Sequence, residues 1–465
     1  MENKNAATVS NALGNTDTTK IDGLTKGPKG TLSRQEAAWL AIGQVIGAGV
    51  IALIGPAMAA TGTSVWLAYA AAVFLGFFLS FPFMVISGTV RLSGGTYSAV
   101  YSIVGKRAGG IYLIGSIPAM IGLASYPIAA AGYIQSLLPG INTTLVALGL
   151  LLLFYIINLI GVDFMAKVQT VLGYCLILGL ISFVIFALPK VNWSQISFSS
   201  GNFLTNGFSG FMTAVFILIY STHGYYWVIG YSNVTKNARK AIPFAMKISI
   251  PIILVLYVGC GIVAASVLPF EEVVGQPLTY VAKEALPTAI FWLFYLGGAL
   301  GALLTSLNST YGYWTNMFAG GANDGWLPKV FTKKNKMDAY WVILTIGFLI
   351  GCLPVIFKFN VATVTNNTLF VQNVVMLLGF VAAWKLPDKY PQLWERSTMK
   401  MSKTAFRCMM VLCFIVEITS IIYAAKGSNL VAVIISAVAI IFSVVYSNIA
   451  YKSGKVSSDA SVWYD

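Results

Sequence analysis

Two short segments combine glycine with polar residues inside stretches that are otherwise apolar. Residues 43–50 read Gly-Gln-Val-Ile-Gly-Ala-Gly-Val, and residues 220–226 read Tyr-Ser-Thr-His-Gly-Tyr-Tyr. Glycine in such a run interrupts a helix, and an interrupted helix exposes backbone N–H groups at one half and carbonyl oxygens at the other. The N–H groups favour an anion such as a carboxylate, and the carbonyl oxygens favour a cation. The two segments therefore predict a polar binding site, although glycine in one helix alone can also serve close packing.

The elements around these segments are membrane helices. Of the 465 residues, 57% are hydrophobic and 9% are charged, against roughly 25% charged in a soluble domain. Apolar runs of about 20 residues, the length that crosses a bilayer, recur about twelve times between Ala37 and Tyr451. This composition excludes a soluble globular protein and predicts an all-α polytopic membrane protein with about 12 transmembrane helices.

The interruptions fall in the first and sixth predicted spans, which is the arrangement expected for two inverted five-helix repeats (spans 1–5 and 6–10). The predicted organisation is a disordered cytoplasmic tail at 1–34, a first repeat at 35–190, a second repeat at 205–385, two peripheral spans at 404–451 and a cytoplasmic tail at 452–465. An outer loop at 269–287 is expected to form a short helix that covers the entrance.

The net charge of +14 indicates topology, because basic residues gather on the cytoplasmic side of membrane proteins. With the N-terminus inside and the spans alternating, all but four of the 29 Lys and Arg residues lie in inner segments. The four outer ones are Lys190, Lys283, Lys358 and Lys426. We therefore predict a plasma-membrane protein with both termini in the cytosol, the lipid bilayer as its surroundings and no nucleic-acid partner. The sequence indicates no protein partner.

Other reactive side chains are few. The five cysteines lie in apolar runs without metal-ligand spacing, so we interpret them as packing residues and expect no cofactor other than a coupling ion. His223, the only histidine, lies in the sixth span and could carry a proton or only form hydrogen bonds. Glu417 lies deep in the eleventh span, and we expect it to be protonated or interfacial rather than to act in transport.

Four motifs in order resemble the amino acid, polyamine and organocation (APC) permease superfamily, with its leucine-transporter-type fold. They are Ile-Gly-Ala-Gly-Val-Ile at 46–51, Leu-Ser-Gly-Gly-Thr-Tyr at 92–97, Asn-Leu-Ile-Gly-Val at 158–162 followed by Gln169, and Asn-Asp-Gly-Trp-Leu-Pro at 323–328. The resemblance covers the chain from about Ser33 to Tyr451.

The resemblance implies a central substrate site between the two interruptions. The substrate carboxylate would bind the backbone N–H groups of Gly47, Ala48 and Gly49. Its ammonium group would face carbonyl oxygens near Ile46 and, in span six, from Tyr220 to Thr222, and Gly224 belongs to the same implied site. Side chains that would contact the substrate are Met120, His223, Tyr225 and Asn308. Because the sequence has no Asp or Glu near the interruptions, a neutral amino acid is the expected substrate.

The resemblance also implies a sodium site. In this fold, the second sodium ion is held by carbonyl oxygens of span one and by an Ala-x-x-[Thr/Ser]-[Thr/Ser] group of span eight, which residues 302–306 match. The ligands would be the carbonyls of Gly43, Ile46 and Ala302 and the hydroxyls of Thr305 and Ser306. The alternative is that these hydroxyls bind their own helix or join helices.

The expected function is secondary active transport of a neutral amino acid by alternating access, as a sodium-coupled symporter. The alternatives are a sodium-independent exchanger and a proton-coupled amino acid or amine permease. An enzyme is not expected, because the sequence has no catalytic triad, metal cluster or phosphate-binding loop. A channel is not expected either, because no charged ring or filter repeat is visible.

Overall fold

The computed structural model describes residues 20–222, 224–428, 430–456 and 462–464, and most of them are helical. Within these ranges, nine helices are long and apolar enough to cross a membrane. Three shorter apolar helices, Thr143–Leu159, Gly207–Ile219 and Trp341–Ile356, coincide with predicted spans four, six and nine. The chain is therefore an all-α polytopic membrane protein, as the sequence predicts.

The first half contains nine helices, because the first and third spans are segmented and the short α5 lies between spans two and three. Span one comprises α1 (Arg34–Val45), α2 (Ala48–Ala52) and α3 (Ile54–Thr61). After α4 (Val65–Thr89), the short α5 (Thr96–Ala99) leads through a π-helical segment, Val100–Val104, into span three. Span three consists of α6 (Lys106–Gly115) and α7 (Ser125–Leu137), joined by the 3₁₀ segment Ile117–Ala124; α8 (Thr143–Leu159) and α9 (Val162–Ala187) complete this half.

The second half begins with the other interrupted span. In span six, α10 (Gly207–Ile219) is followed by the 3₁₀ segments Tyr220–Thr222 and Tyr225–Tyr231. The remaining helices are α11 (Ala238–Ser266), α12 (Phe270–Val273), α13 (Leu278–Ala285), α14 (Thr288–Leu293), α15 (Gly301–Asn323), α16 (Trp341–Ile356), α17 (Val361–Lys389), α18 (Pro391–Glu395), α19 (Lys403–Gly427) and α20 (Leu430–Lys452). A π-helical segment, Phe294–Leu300, joins α14 to α15.

Local sequence explains where several helices begin. Ser33 precedes α1 in a capping box: its hydroxyl accepts a hydrogen bond from the N–H of Glu36 at 3.2 Å, and the Glu36 carboxylate accepts one from the N–H of Ser33 at 2.7 Å. This pairing satisfies two N–H groups that the first turn of a helix cannot satisfy by itself. Asn142, Asn360 and Ser402 cap α8, α17 and α19 in the same way through a single side-chain acceptor.

The helices differ in how much of their surface faces the interior. Almost all of α15 is buried, whereas α19 and α20 expose long rows of apolar side chains such as Val411, Ile415, Ile418 and Ile422. A large apolar surface of this kind requires lipid around it. The last two spans, α19 and α20, are therefore peripheral in position. The inverted relation between the two five-helix repeats stays a prediction.

The ends of the described chain meet at one end of the helix bundle. Strand β1 (Arg91–Leu92) pairs antiparallel with β2 (Val462–Trp463), and Lys26 forms a parallel bridge to Tyr464. The Arg91 guanidinium donates to the carbonyl oxygens of Ser232 and Asn233 at 3.2 and 2.8 Å. Residues 20–33 are therefore ordered, which differs from the disorder predicted for 1–34, because the ends supply each other with backbone partners. The rest of that prediction, for residues 1–19, lies outside the described residues.

The loop predicted to cover the entrance contains two short helices, α12 and α13, instead of one. Its turn rests on α3: the N–H of Gly275 donates to the carbonyl of Gly55 at 3.2 Å. A Cβ atom on Gly55 would lie 2.5 Å from the carbonyl carbon of Gly275. The loop and span one can approach this closely only because residue 55 has no side chain.

Candidate functional site

A central cavity of about 60 Å³ lies between the two interrupted spans. Spans one, three, six, eight and ten all contribute to its wall. The lining residues are Gln44, Val45, Gly47, Gly49, Ala119, Gly122, Ser125, Tyr126, Ser221, Gly224, Trp227, Ser306, Thr310, Trp314, Thr365, Thr368, Leu369 and Gln372. Among the described residues, the wall contains no Asp, Glu, Lys or Arg.

The interruption in span one is a single extended turn. Helix α1 ends at Val45, Ile46 adopts φ −79° and ψ 88°, and Gly47 is extended at φ −120° and ψ −151° before α2 begins at Ala48. The N–H of Gly47 donates to the carbonyl of Val45 at 3.0 Å, so it already has a partner. The first N–H groups of α2 have none within their helix.

Span six is interrupted where it meets span one. After α10 ends at Ile219, Gly224 separates two 3₁₀ segments. A Cβ atom on Gly224 would lie 2.5 Å from the carbonyl oxygen of Gln44 and 2.9 Å from the Cα of Val45. On the other side, a Cβ atom on Gly49 would lie 2.9 Å from the Cβ of Ser221. Gly224 in span six and Gly49 in span one therefore allow the two interrupted spans to approach each other closely.

A tyrosine from span seven connects the two interruptions. The Tyr257 hydroxyl lies 3.2 Å from the carbonyl oxygen of Val45 and 3.0 Å from that of Ser221, and it donates to both. Two carbonyl oxygens from different spans therefore point to one position. Tyr257 is fully buried and packs against Tyr69, with ring centroids 5.2 Å apart and the ring planes tilted by 59°. The sequence analysis did not select Tyr257, because one tyrosine in an apolar span has no distinguishing pattern.

Three polar groups in the cavity wall have no hydrogen-bond partner among the described residues: the hydroxyls of Ser221 and Thr365 and the indole N–H of Trp314. Buried polar groups in proteins are nearly always paired, so such exceptions require an explanation. Other polar groups of the wall are paired. The amide of Gln44, for example, donates to the Thr310 hydroxyl at 3.2 Å and accepts from the Ser309 hydroxyl. The three unpaired groups point to a polar ligand in the cavity.

The predicted sodium ligands lie at the junction of α1 and α15. The Ser306 hydroxyl donates to the carbonyl of Gly43 at 2.9 Å. The Thr305 hydroxyl donates to the carbonyls of Gly301 and Ala302 at 2.9 and 3.0 Å. A Cβ atom on Gly43 would lie 2.9 Å from the Cβ of Thr305, and it would collide with the amide nitrogen of Gln169. Both hydroxyls therefore have protein partners here, and a neutral donor from span five lies beside Gly43.

Asn308 lies in an amide network between spans four, five and eight. Its amide nitrogen donates to the Gln169 side-chain oxygen at 2.9 Å and to the Met165 carbonyl at 3.1 Å, and its own oxygen accepts from Asn158 at 3.3 Å. Asn158 and Gln169 belong to one of the motifs noted in the sequence. Asn308 thus lies outside the cavity lining and joins three helices.

We expect Asn308→Ala to lower the thermal stability of the purified protein, because Gln169 and Asn158 would each lose a buried partner. Leaving such groups unsatisfied costs about 1–3 kcal/mol. A melting curve in detergent measures the effect, with Asn448→Ala on the exposed face of α20 as the matched control. Equal melting temperatures of the two variants would contradict the structural role of the network.

Several other predicted site residues do not line the central cavity. Met120 lies toward span nine in a separate small cavity with Ile343 and Leu344. The Thr222 hydroxyl donates to the carbonyl of Ala72 in α4 at 3.0 Å. Tyr225 is fully buried, and its hydroxyl has no partner within the described ranges. His223 lies outside the described residues.

The fold and the cavity define this chain as a polytopic helical membrane protein with an uncharged central cavity between two interrupted spans. The sequence model of a family described as amino acid permease matches residues 32–457. The chain therefore belongs to the amino acid permease family, within the APC superfamily.

Several relatives carry the names of permeases or transporters. The chain is 26% identical over 361 residues to the branched-chain amino acid permease BcaP of Bacillus subtilis (strain 168), which covers 70% of this chain and 76% of the relative. It is 25% identical over 417 residues to the D-serine/D-alanine/glycine transporter of Escherichia coli (strain K12), covering 83% and 86%. It is 25% identical over 330 residues to the methylthioribose transporter of Bacillus subtilis (strain 168), covering 65% and 69%. Membership in this family places the function in amino acid transport.

Proposed function

We propose that this protein is a secondary active transporter of small neutral amino acids in the plasma membrane, with both termini in the cytosol. The observation that carries the proposal is the central cavity, where three buried polar groups lack partners and no charged side chain is present among the described residues. A zwitterion with an uncharged side chain supplies the missing hydrogen bonds without leaving a side-chain charge unpaired. The names of the relatives support amino acids as the class of substrate.

We place the substrate between the two interruptions in a defined orientation. Its carboxylate would bind the N–H groups of Ala48 and Gly49 at the start of α2, with the Ser221 hydroxyl as a further donor. Its ammonium group would face the carbonyl oxygens at Ile46 and Ser221. The Ser221 carbonyl accepts one hydrogen bond, from the Tyr257 hydroxyl at 3.0 Å, and its second lone pair can accept from an ammonium group.

The cavity volume favours a small side chain. A buried water needs about 10–15 Å³ of such volume, so about 60 Å³ holds roughly four to six atoms of that size. Glycine and alanine meet this limit, whereas leucine and phenylalanine exceed it. A branched-chain amino acid permease and a D-serine/D-alanine/glycine transporter are both among the relatives, and the volume favours substrates of the size of glycine and alanine.

We therefore expect binding to weaken from L-alanine to L-valine to L-leucine, roughly tenfold or more for each carbon that does not fit. Thr368 limits the cavity opposite Gly122, where a Cβ atom on the glycine would lie 2.7 Å from the Thr368 methyl group. Thr368→Ala should consequently improve the binding of L-valine relative to L-alanine. Thermal-shift titration of the purified protein with each amino acid measures the order, and Thr213→Ala on the exposed face of α10 is the control. Tighter binding of L-leucine than of L-alanine by the wild type would contradict the size argument.

We further propose that sodium is the coupling ion and binds between α1 and α15. Support comes from the position of the Ser306 hydroxyl against the Gly43 carbonyl, next to Thr305 and the Ala302 carbonyl. These groups form a cluster of oxygen atoms, which is the ligand type that alkali cations need. Sodium would replace the hydrogen that Ser306 now donates to Gly43.

One observation favours a second candidate, transport without sodium. The two hydroxyls of the proposed ion site already have protein acceptors: Ser306 donates to the Gly43 carbonyl, and Thr305 donates to the carbonyls of Gly301 and Ala302. Hydroxyls that are satisfied in this way can serve helix packing without an ion. In that case the protein would exchange one amino acid for another, or use protons. The ion dependence of uptake separates the two candidates.

The proposal is tested by thermal-shift screening of the detergent-purified protein against twenty amino acids, each in sodium and in choline. A transporter of small neutral amino acids should be stabilised by glycine, alanine or serine and not by lysine or glutamate. Stabilisation only by charged amino acids would reject the proposed class of substrate. Stabilisation that is equal in sodium and choline would leave the class in place and favour the second candidate.

A further inference from the structure

A second, smaller cavity lies beside the central one. Its volume is about 10 Å³, which is room for roughly one water molecule, and spans three, eight and nine form its wall. Most of this wall is apolar. It consists of Met120, Leu123, Tyr311, Trp314, Thr315, Ile343, Leu344 and Gly347. Since span nine does not contribute to the wall of the central cavity, the second cavity is a distinct apolar space on the span-nine side of the central site.

The 3₁₀ segment Ile117–Ala124 of span three separates the two cavities on one side. Side chains three residues apart share a face of a 3₁₀ helix. Ala119 and Gly122 accordingly line the central cavity, whereas Met120 and Leu123 line the second one. The segment therefore turns two small residues toward the central cavity and two large apolar residues toward span nine. This alternation also explains why Met120, which was predicted to contact the substrate, does not line the central cavity.

Trp314 of span eight belongs to the walls of both cavities. It is 4% exposed, and its indole packs edge-on against the rings of Trp227 and Tyr313, with centroids 5.8 and 5.2 Å apart. The indole N–H has no hydrogen-bond partner among the described residues, so the contacts that hold the ring there are packing contacts. The indole thus forms a partition between the central cavity and the apolar space behind it.

We propose that Trp314 restricts the central site to small side chains by closing a latent aliphatic pocket. The latent pocket is formed by Met120, Leu123, Ile343 and Leu344. With a smaller residue at position 314, the two cavities merge, and a longer or branched aliphatic side chain of the substrate enters the latent pocket. Apolar cavities that truncated side chains leave do bind apolar groups. The inference rests on the proposed function, because it assigns a determinant of substrate size to the same site.

The experiment measures the dissociation constants of L-alanine and L-leucine for the purified full-length protein in lipid nanodiscs, by displacement of labelled L-alanine. Trp314→Ala should lower the leucine-to-alanine ratio of these constants by roughly sixtyfold, because each of the three further carbons gains roughly fourfold when it is buried. The ratio is the readout, since loss of the indole N–H acts on both substrates. Trp292→Ala, at a 43% exposed position in α14 of the same span, is the control and should keep the wild-type ratio. An unchanged ratio in Trp314→Ala would overturn the proposal.

A second substitution tests whether the indole separates the substrate from the latent pocket. Met120→Ala widens this pocket, so a long side chain such as that of L-phenylalanine should fit better once the partition is gone. The phenylalanine-to-alanine ratio should therefore change roughly fivefold more in the Trp314→Ala background than in the wild type, which is ordinary coupling for residues that share a cavity. Equal effects of Met120→Ala in the two backgrounds would show that Trp314 is not a partition.

Trp314→Leu covers the case in which Trp314→Ala does not fold. Leucine keeps apolar contacts with Trp227 and Tyr313 but is shorter than the indole, so the leucine-to-alanine ratio should fall by roughly tenfold. A wild-type ratio in this variant would reject the proposal as well. Failure of the proposed function gives a different result. A wild type that binds no neutral amino acid would reject the class of substrate, whereas alanine binding with a ratio that does not depend on residue 314 would reject only the role of Trp314.

Discussion

Gly47→Leu is expected to abolish amino acid uptake without preventing folding. Gly47 lies in the extended turn of span one at φ −120°, a backbone conformation that any residue can adopt. A Cβ atom there would lie 2.9 Å from the Ser306 hydroxyl and 3.7 Å from the ring of Tyr126, both of which line the cavity. The rest of the leucine side chain would therefore extend into about 60 Å³ of free space and occupy most of it. Uptake of labelled L-alanine into proteoliposomes should fall to the level of protein-free vesicles.

Two variants make this result specific. Gly47→Ala should keep part of the activity, because the hydroxyl group of Ser306 can move away from a single methyl group. Gly132→Leu lies on α7 where a Cβ atom meets nothing within 4 Å, and it should transport like the wild type. Uptake at the wild-type rate by Gly47→Leu would remove the proposed site from the span-one interruption.

The second large effect concerns sodium. Replacing sodium by choline at fixed pH should abolish concentrative uptake, because one charge that moves with the substrate gains about 2.3 kcal/mol per 100 mV. At about 1.4 kcal/mol per decade, this supports a concentration ratio of roughly fifty-fold. Sodium between α1 and α15 would join elements that must separate for inward opening. It should therefore favour one state by differential affinity.

Thr305→Ala combined with Ser306→Ala tests the location of the ion. The double variant removes two oxygen ligands and keeps the helix, so sodium should no longer increase substrate binding, whereas binding in choline should persist. Thr315→Ala, between two and three turns further along α15 at a hydroxyl that donates to the Tyr311 carbonyl, is the matched control. Equal uptake by the wild type in sodium and in choline would show that these hydroxyls serve helix packing, as their present hydrogen bonds also permit.

The interruption at 43–50 and the polarity of 302–310 were visible in the sequence because glycine and hydroxyl residues contrast with apolar surroundings. Helix α1 ends at Val45 and Ser306 faces Gly43, both close to the expected positions. Tyr257 and Gln372 did not stand out from their surroundings in the sequence. Whether such a residue takes part in the site depends on the direction in which a single side chain points from a long helix. Rotation about the helix axis follows from packing against neighbours, which the order of residues does not reveal by itself.

The same reasoning explains Asn308 and the ordered ends. Asn308 was expected in the substrate site because it belongs to a polar run on span eight. Its side chain instead faces Asn158 and Gln169, two residues that only the packing of spans four and five brings near. Strands β1 and β2 have two residues each, too few for a periodic pattern. Their pairing depends on a contact between the segment after span two and residues 462–463 near the other end of the described chain.

Counterflow in proteoliposomes tests most directly whether the protein carries amino acids through this cavity. Vesicles that contain the wild-type protein are loaded with unlabelled L-alanine and diluted into a trace of labelled L-alanine. A carrier that alternates between two sides should accumulate the label transiently above the external concentration, and Gly47→Leu vesicles should not. If the label in wild-type vesicles never exceeds that in Gly47→Leu vesicles, the account of a carrier with its site between the two interruptions is contradicted.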